Sequence, residues 1–226
     1  MRKIIANAHV SLDGVMQAPG GPHEDPSNKF AYGGWSAPYA DERSAEHLLA
    51  AMAQPFDLLL GRRTYEIFAA YWPYHTDNPI GERFDAATKY VVTRTLDRLE
   101  WQHAERLDGG VEKEIVRLKS GNGPDIHTWG SSELLHTLAA SGLIDEYRLY
   151  IYPLVLGRGK RLFEPGATAQ ALSLVDSKTS STGVSMNTYR PAGPVKTGSY
   201  ADETPSDAEL ARRRKHASET GDTRSS

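Results

Sequence analysis

Residues 56–66 limit the fold of this chain more than any other segment. Apart from Asp57, residues 56–60 are apolar, which is the pattern of a β-strand buried on both faces. Gly61 ends the strand, and two arginines and Thr64 follow it just before a predicted helix at residues 65–70. The free N–H groups of a helix N-terminus and the planar fork of an arginine both bind phosphate. The segment therefore predicts an anion site at a strand end, with ordinary solvated surface arginines as the alternative.

In two further segments, a predicted strand also ends in residues that can bind an anion. Residues 90–94 form a β-branched run that ends in Thr93 and Arg94, and residues 125–132 lead from a strand into a helix at a Gly-Ser-Ser sequence. In an open α/β sheet, ligands bind beyond the carboxyl ends of the strands. The three strand ends together predict one phosphate-rich ligand site, most simply for a dinucleotide.

Four short motifs occur in an order and at spacings that resemble a known family. They are residues 11–14 (Ser-Leu-Asp-Gly), 60–66, 92–94 and 130–134. Together they resemble a dihydrofolate-reductase-like protein. Residues 144–149 and 153–163 are similar, more specifically, to the C-terminal reductase domain of the bifunctional riboflavin-biosynthesis deaminase–reductase. The resemblance covers nearly all of the chain between residues 2 and 190.

The resemblance implies a nicotinamide cofactor, and the arginines favour NADPH. The 2′-phosphate of NADPH is a dianion that needs charged partners, which guanidinium groups supply. By resemblance, eleven residues are expected to bind the cofactor: Leu60, Gly61, Arg62, Arg63, Thr64, Thr93, Arg94, Gly130, Ser131, Ser132 and Leu156. The two leucines are expected to flank the nicotinamide ring.

The substrate side is predicted from carboxylates and flat aromatic rings. Asp13 is the candidate catalytic residue, because a carboxylate can hydrogen-bond a pyrimidine or pterin ring and help to deliver a proton. Its alternative role is to cap the turn that it forms with Gly14. The other candidates for the substrate pocket are Trp35, Asp41, Trp72 and Trp129. The tryptophans are also compatible with an ordinary packed core.

Three residues depart from the pattern of the riboflavin-pathway reductases. Trp129 stands where those proteins carry an acidic residue, Ser131 replaces the second glycine of a pair, and Phe68 replaces an aspartate. The sequence also has no His-x-Glu or Cys-x-x-Cys signature of the zinc-deaminase half. The resemblance therefore extends to cofactor binding better than to a ribityl-phosphate substrate, and a planar, less charged substrate suits Trp129.

Alternating strands and helices followed by a hairpin indicate the fold class. We expect an α/β, dihydrofolate-reductase-like fold with a mostly parallel central sheet flanked by helices and a C-terminal antiparallel hairpin. Residues 1–191 are predicted to form this reductase domain, and residues 192–226 a polar tail that is disordered or a frayed helix. Family members commonly pair through their C-terminal strands, so the resemblance also implies a homodimer.

Composition argues against several other functions. The 26 basic and 29 acidic residues nearly balance, which gives no sign of a nucleic-acid partner. No apolar run approaches the length of a membrane span. The absence of cysteine excludes disulfides and fits a cytoplasmic protein, and the histidines lack metal-ligand spacing, so no metal is expected.

These features together predict an NADPH-dependent reductase. Its substrate is expected to be a small molecule, either heterocyclic (pterin- or pyrimidine-like) or a carbonyl compound. One alternative is a 5-amino-6-(5-phosphoribosylamino)uracil reductase of riboflavin biosynthesis. A second is a non-catalytic protein that kept the nucleotide pocket and binds its ligand without turnover.

Overall fold

The computed structural model describes residues 1–200 and 204–220. The strands in this part of the chain are β1 (Ile4–Ser11), β2 (Phe56–Gly61), β3 (Lys89–Val92), β4 (Ala104–Leu107), β5 (Asp125–Trp129), β6 (Glu146–Tyr152), β7 (Leu172–Thr179) and β8 (Ser185–Pro191). The helices are α1 (Glu42–Ala51), α2 (Arg62–Ala69), α3 (Pro79–Ala86), α4 (Val111–Ser120), α5 (Ser132–Ala140) and α6 (Asp207–Thr220). None of these helices is long and apolar enough to cross a bilayer, as far as the described residues extend. The chain divides into a unit from Met1 to Pro194 and a second unit that begins at Val195.

All eight strands belong to one sheet, in the order β4-β3-β2-β5-β1-β6-β8-β7. The strands from β4 to β6 in this order run parallel, and β8 and β7 complete the sheet as an antiparallel hairpin. The predicted fold class is therefore confirmed. Because β2, β3 and β5 are parallel, their carboxyl ends lie at the same end of the sheet, where a ligand site is expected in an α/β fold.

The sheet separates two apolar cores, because side chains alternate across each strand. Ile4 and Leu59 belong to the core that α4 and α5 cover. Leu58 and Leu60 belong to the core on the opposite face, together with side chains of α2 and α3. Strand β2 is thus buried on both faces, as its apolar run predicts.

Some boundaries differ from those read from the sequence. Helix α2 begins at Arg62 rather than at Tyr65, so both arginines belong to its first turn. Strand β4 was not predicted, since it is short and only Leu107 of its residues is buried. Helix α6 lies within the tail predicted at residues 192–226, of which residues 201–203 and 221–226 lie outside the described residues.

Strand β7 forms one edge of the sheet and is largely exposed. Its residues Leu174 and Val175 are 57% and 46% exposed. An exposed strand edge can pair with a second chain. The predicted homodimer remains a prediction.

Candidate active site

A cleft of about 1550 Å³ opens at the carboxyl ends of β2, β3 and β5. Nine of the predicted cofactor residues line it together: Gly61, Arg62, Arg63, Thr64, Thr93, Arg94, Gly130, Ser131 and Ser132. The three segments that carry them lie far apart in the sequence. Parallel pairing of β3 and β5 with β2 brings them to one place.

Ser131 ties two of the three strand ends together. Its Oγ accepts a hydrogen bond from the Gly61 N–H at 2.9 Å and donates one to Thr64 Oγ1 at 2.8 Å. Gly130 and Ser131 are both left-handed, with φ of 74° and 63°. A Cβ at position 61 would lie 3.3 Å from Ser131 Oγ, so glycine permits the close approach. This pair of turns forms the middle of the cleft wall.

Of the three arginines that line the cleft, Arg62 is paired and the other two have no partner among the described residues. Arg62 Nη1 pairs with Glu66 at 2.8 Å, one turn along α2. Arg63 and Arg94 line the cleft and make no side-chain hydrogen bond or ion pair with the part of the chain that the structure describes. Both are exposed. Their guanidinium groups are therefore free to bind an anion in the cleft.

Three helices begin at the cleft without a side-chain cap from the described residues: α2, α4 and α5. Each of them presents free backbone N–H groups and the positive end of its dipole. The start of α4 was not predicted as part of the site. Its signal in the sequence is the pair Gly109-Gly110, which lines the cleft immediately after β4.

Four aromatic side chains form an apolar wall farther along the cleft. The ring centroids of Phe68 and Phe84 are 5.4 Å apart in a stacked arrangement, and Trp72 meets Phe84 edge-on at 5.1 Å. Trp129 contacts the same ring at 5.9 Å. Trp72 and Trp129 thus occupy the cleft, as the sequence predicts, and Phe84 is an addition that the sequence did not indicate. Flat aromatic walls of this kind suit a planar ligand.

Strand β1 supplies two polar side chains to the floor of the cleft. Asn7 and His9 are neighbours on one face of the strand, and both line the cleft. His9 Nδ1 is 2.7 Å from the hydroxyl of Tyr152, and its ring stacks on Tyr150 at 4.9 Å. Burial lowers the pKa of His9 to about 4, so its imidazole is neutral at pH 7. Sequence reasoning missed both residues, although they are the polar positions inside a strand that is otherwise apolar up to its last residue, Ser11.

The family model of the RibD C-terminal domain matches residues 2–186. The chain belongs to the RibD C-terminal domain family. It is 29% identical over 192 residues to the protein YyaP of Bacillus subtilis, which covers 83% of this chain and 94% of that protein. The fold is similar to that of a Shewanella sp. PV-4 protein named for riboflavin biosynthesis, with a TM-score of 0.61, 18% identity and coverage of 84% and 99%. It is also similar to Enterococcus faecalis dihydrofolate reductase complexed with NADP(H), with a TM-score of 0.55, 13% identity and coverage of 84% and 96%.

The resemblance drawn from the motifs is thereby confirmed. Five predicted site residues, however, are not among the described residues that line it: Asp13, Trp35, Asp41, Leu60 and Leu156. Leu60 has no exposed surface and packs in the core. The nicotinamide contact predicted for it therefore lacks a geometric basis.

Asp13 has a structural task in this family member. Its carboxylate accepts the N–H groups of Leu156 at 3.0 Å and Gly157 at 2.9 Å. Burial alone would raise the pKa of Asp13, but hydrogen bonds from Ser11 and these two N–H groups outweigh it and lower the pKa to about 2. Asp13 and Leu156 therefore hold two loops together, whereas the catalytic role of Asp13 and the cofactor contact of Leu156 remain predictions.

The other two residues outside the cleft also stabilise the fold. Asp41 caps α1 by accepting the Ser44 N–H at 2.8 Å, and it also accepts hydrogen bonds from Ser181. Trp35 is buried, and its Nε1 donates to the Gln17 carbonyl at 2.7 Å. Trp35 thus fixes the loop after β1 to the core, which was the alternative to a substrate contact.

Proposed function

We propose that this protein is an NADPH-dependent reductase that transfers a hydride to a small planar heterocyclic or carbonyl substrate. The observation that carries the proposal is the convergence of free cationic and N–H groups on a cleft whose other end is aromatic. Arg63, Arg94 and the three uncapped helix starts supply the first part, and the aromatic wall supplies the second. Membership of the RibD C-terminal domain family supports the same reaction class.

The residues present fit a dinucleotide. The uncapped starts of α2, α4 and α5 leave backbone N–H groups at the cleft, and such helix N-termini bind anions. Thr64 and Ser132 add hydroxyl groups at the starts of two helices. NADPH would supply the hydride when bound, and the protein would position it, exclude water and hold the phosphates.

Arg94 is the residue we assign to the 2′-phosphate of the cofactor. It stands at the end of β3, is exposed and has no partner among the described residues, so its charge is available. Replacing Arg94→Ala should weaken NADPH binding by about 1–3 kcal/mol, which is roughly 5- to 150-fold in Kd. NADH lacks the phosphate, so its Kd should change little. Isothermal titration with both nucleotides measures the two effects.

Arg98→Ala is the matched control. Arg98 follows on the same loop, but it is paired with Glu100 at 3.1 Å and does not line the cleft. Its loss should leave both Kd values unchanged. An equal loss of NADPH and NADH affinity in Arg94→Ala would contradict the assignment of that side chain, and a chain that binds neither nucleotide would refute the reductase proposal.

The riboflavin-pathway reaction is the second candidate, and the family supports it. The aromatic wall weighs against it, because Phe68 and Trp129 stand where the pathway reductases carry acidic residues. Following NADPH absorbance with a phosphoribosylaminopyrimidine and with neutral heterocycles and carbonyl compounds separates the two reactions. NADPH binding without oxidation by any of them would favour the non-catalytic alternative.

A further inference from the structure

His9 stands beside the aromatic wall of the cleft. Its ring centroid is 6.5 Å from that of Trp129, which contacts Phe84 of this wall at 5.9 Å. His9 lines the cleft and is half-buried, whereas Asn7, its neighbour on the same face of β1, has no exposed surface. A planar substrate on the aromatic wall would therefore lie next to an imidazole.

The two ring nitrogens of His9 have different surroundings. Nδ1 is 2.7 Å from the hydroxyl of Tyr152. Nε2 makes no hydrogen bond with the described residues, yet it is not among their buried polar atoms without a partner, which are Asn7 Oδ1, His47 Nδ1, His127 Nδ1, Trp129 Nε1 and Tyr150 OH. Nε2 therefore keeps exposed surface, and because His9 lines the cleft, a ligand there can reach it.

The contact with Tyr152 decides which nitrogen carries the ring hydrogen. Tyr152 is buried, so its O–H needs an acceptor, and burial raises its pKa to about 12, so it keeps its proton. Ser36 also lies near this hydroxyl, but its own O–H donates to the Pro19 carbonyl at 2.7 Å, and a hydroxyl oxygen accepts more weakly than an imidazole nitrogen. Tyr152 therefore donates to His9 Nδ1, which leaves the hydrogen of the neutral ring on Nε2.

Four carboxylates line the cleft as well, and each has other contacts or lies at the other side. Two form ion pairs, one accepts backbone N–H groups of its own loop, and one lies in the first turn of α5, at the strand-end side. In that order they are Asp25 and Asp108, Glu24, and Glu133. His9 differs from them because it has a free N–H near the aromatic wall and a hydroxyl that can replace its proton.

We propose that His9 is the catalytic proton donor of the reductase and that Tyr152 is the positioning residue behind it. The inference rests on the proposed function, because a hydride added to the carbon of a C=O or C=N bond leaves negative charge on the oxygen or nitrogen, which a general acid neutralises. As the hydride reaches that carbon, the Nε2–H bond breaks and the heteroatom takes the proton. The Tyr152 O–H bond breaks at the same time, and Nδ1 takes that proton. After product release Nδ1 returns it to Tyr152 and water protonates Nε2, so each turnover consumes one hydride from NADPH and one proton from water.

The position of the ring hydrogen can be measured without turnover. In the full chain labelled with nitrogen-15 histidine, long-range proton–nitrogen correlation at pH 7 should give His9 a pyrrole-like shift at Nε2 and a pyridine-like shift at Nδ1. Tyr152→Phe should move this balance towards Nδ1–H, because it removes the hydroxyl that donates to Nδ1. A pyrrole-like Nδ1 in the wild type would overturn the proposal, because Nε2 would then have no proton to give.

Two probes separate proton transfer from hydride transfer. Acenaphthenequinone is a neutral planar diketone whose reduction needs a proton, whereas the N-methyl-3,4-dihydroisoquinolinium cation accepts a hydride and needs none. His9→Gln keeps an N–H group but cannot relay a proton, so kcat for the diketone should fall by about 100-fold or more, as for the loss of a general acid. The kcat for the cation and the Kd for NADPH should stay near those of the wild type.

Two further variants complete the test. Tyr152→Phe should also lower kcat for the diketone selectively. His47→Gln is the matched control and should leave both rates unchanged, because His47 packs edge-on against Tyr150 at 5.7 Å but does not line the cleft. An equal loss for both probes in His9→Gln, or no loss for the diketone, would overturn the proposal. If His9→Gln misfolds, the nitrogen-15 measurement and Tyr152→Phe still decide it.

The outcomes also separate this inference from the function beneath it. NADPH affinity is measured in its own titration, without a probe. Oxidation of NADPH with both probes but no selective loss in His9→Gln would overturn this inference and leave the reductase proposal standing. NADPH binding with oxidation by neither probe would overturn this inference and favour the non-catalytic alternative, and a chain that binds no NADPH would overturn both.

Discussion

The turn at Ser131 gives the sharpest test of how this site is built. Its backbone is left-handed, with φ of 63° and ψ of 64°, which costs a residue other than glycine roughly 1 kcal/mol. Two side-chain hydrogen bonds, to the Gly61 N–H and to Thr64, oppose this cost at about 1 kcal/mol each. The serine is therefore stabilising on balance, although its backbone conformation favours glycine.

Two substitutions separate these contributions. Ser131→Ala keeps the backbone cost and loses both hydrogen bonds, so the free energy of unfolding should fall by about 2 kcal/mol. Ser131→Gly loses the same bonds but relieves the backbone, so the fall should be only about 1 kcal/mol. Urea unfolding followed by circular dichroism, with linear extrapolation to water, should give the order Ser above Gly above Ala.

Ser173 in β7 provides the control. It is exposed, lies in a strand, and makes only a 3.4 Å side-chain contact with the Arg190 carbonyl. Glycine destabilises a strand relative to alanine, so the order of the Gly and Ala variants should reverse there. If Ser131→Gly is no more stable than Ser131→Ala, the backbone argument is refuted. If Ser131→Ala matches the wild type, the two hydrogen bonds contribute nothing.

Three further predictions concern residues away from this turn. Burial lowers the pKa of His127 from 6.5 to about 4, so below pH 6.5 the unfolded chain binds a proton that the folded chain excludes, and the free energy of unfolding decreases as the pH decreases. When the pH is lowered from 7 to 5, the free energy of unfolding of His127→Leu, measured with urea, should therefore decrease by about 2 kcal/mol less than that of the wild type. Asp13→Ala should lower the free energy of unfolding by about 1–3 kcal/mol with an unchanged Kd for NADPH, whereas lost NADPH oxidation at unchanged stability would restore its catalytic role. Gly159→Ala should destabilise the fold by about 1–3 kcal/mol more than Gly157→Ala in the same assay. A Cβ at position 159 would lie 2.5 Å from Val15, whereas a Cβ at position 157 would have no neighbour within 4 Å. Equal effects of the two substitutions would contradict the clash.

The fold was predictable from the sequence where the apolar pattern matches the burial. Strand β2 (Phe56–Gly61) was predictable because its apolar run matches side chains that are buried on both faces of the sheet. The start of α2 was misplaced, since Arg62 and Arg63 carry no apolar periodicity and belong to the helix through its backbone alone. Strand β4 escaped detection because an edge strand with exposed residues lacks the apolar pattern that marks a buried one.

The strand-end side of the cleft was predictable for a related reason, whereas on the other side only Trp72 and Trp129 were predicted and the polar floor was not. Arginine, threonine and glycine at strand ends mark the first side, and the parallel sheet places those ends together. The polar floor depends on which residue of β5 pairs with which residue of β1. That register places Asn7 beside Trp129, and neither sequence position reveals it. For Asp13 the sequence left two roles open, because the same Asp-Gly pair serves both a turn and a site.

Both sides of the cleft receive residues from the end of β5. This explains why Trp129 stands where the riboflavin-pathway reductases carry an acidic residue. Gly130 and Ser131 belong to the turn that ties the ends of β2 and β5 together, while the preceding Trp129 pairs with Asn7 and contacts Phe84 of the aromatic wall. A carboxylate at position 129 would lie beside Asn7 Oδ1 and the ring of Phe84, and it would find no cation there among the described residues. Its desolvation would be uncompensated unless a substrate or a neighbour brought positive charge. Tryptophan instead adds aromatic surface without charge, so this side of the cleft suits a planar ligand, while Arg63 and Arg94 remain available to an anion at the other side.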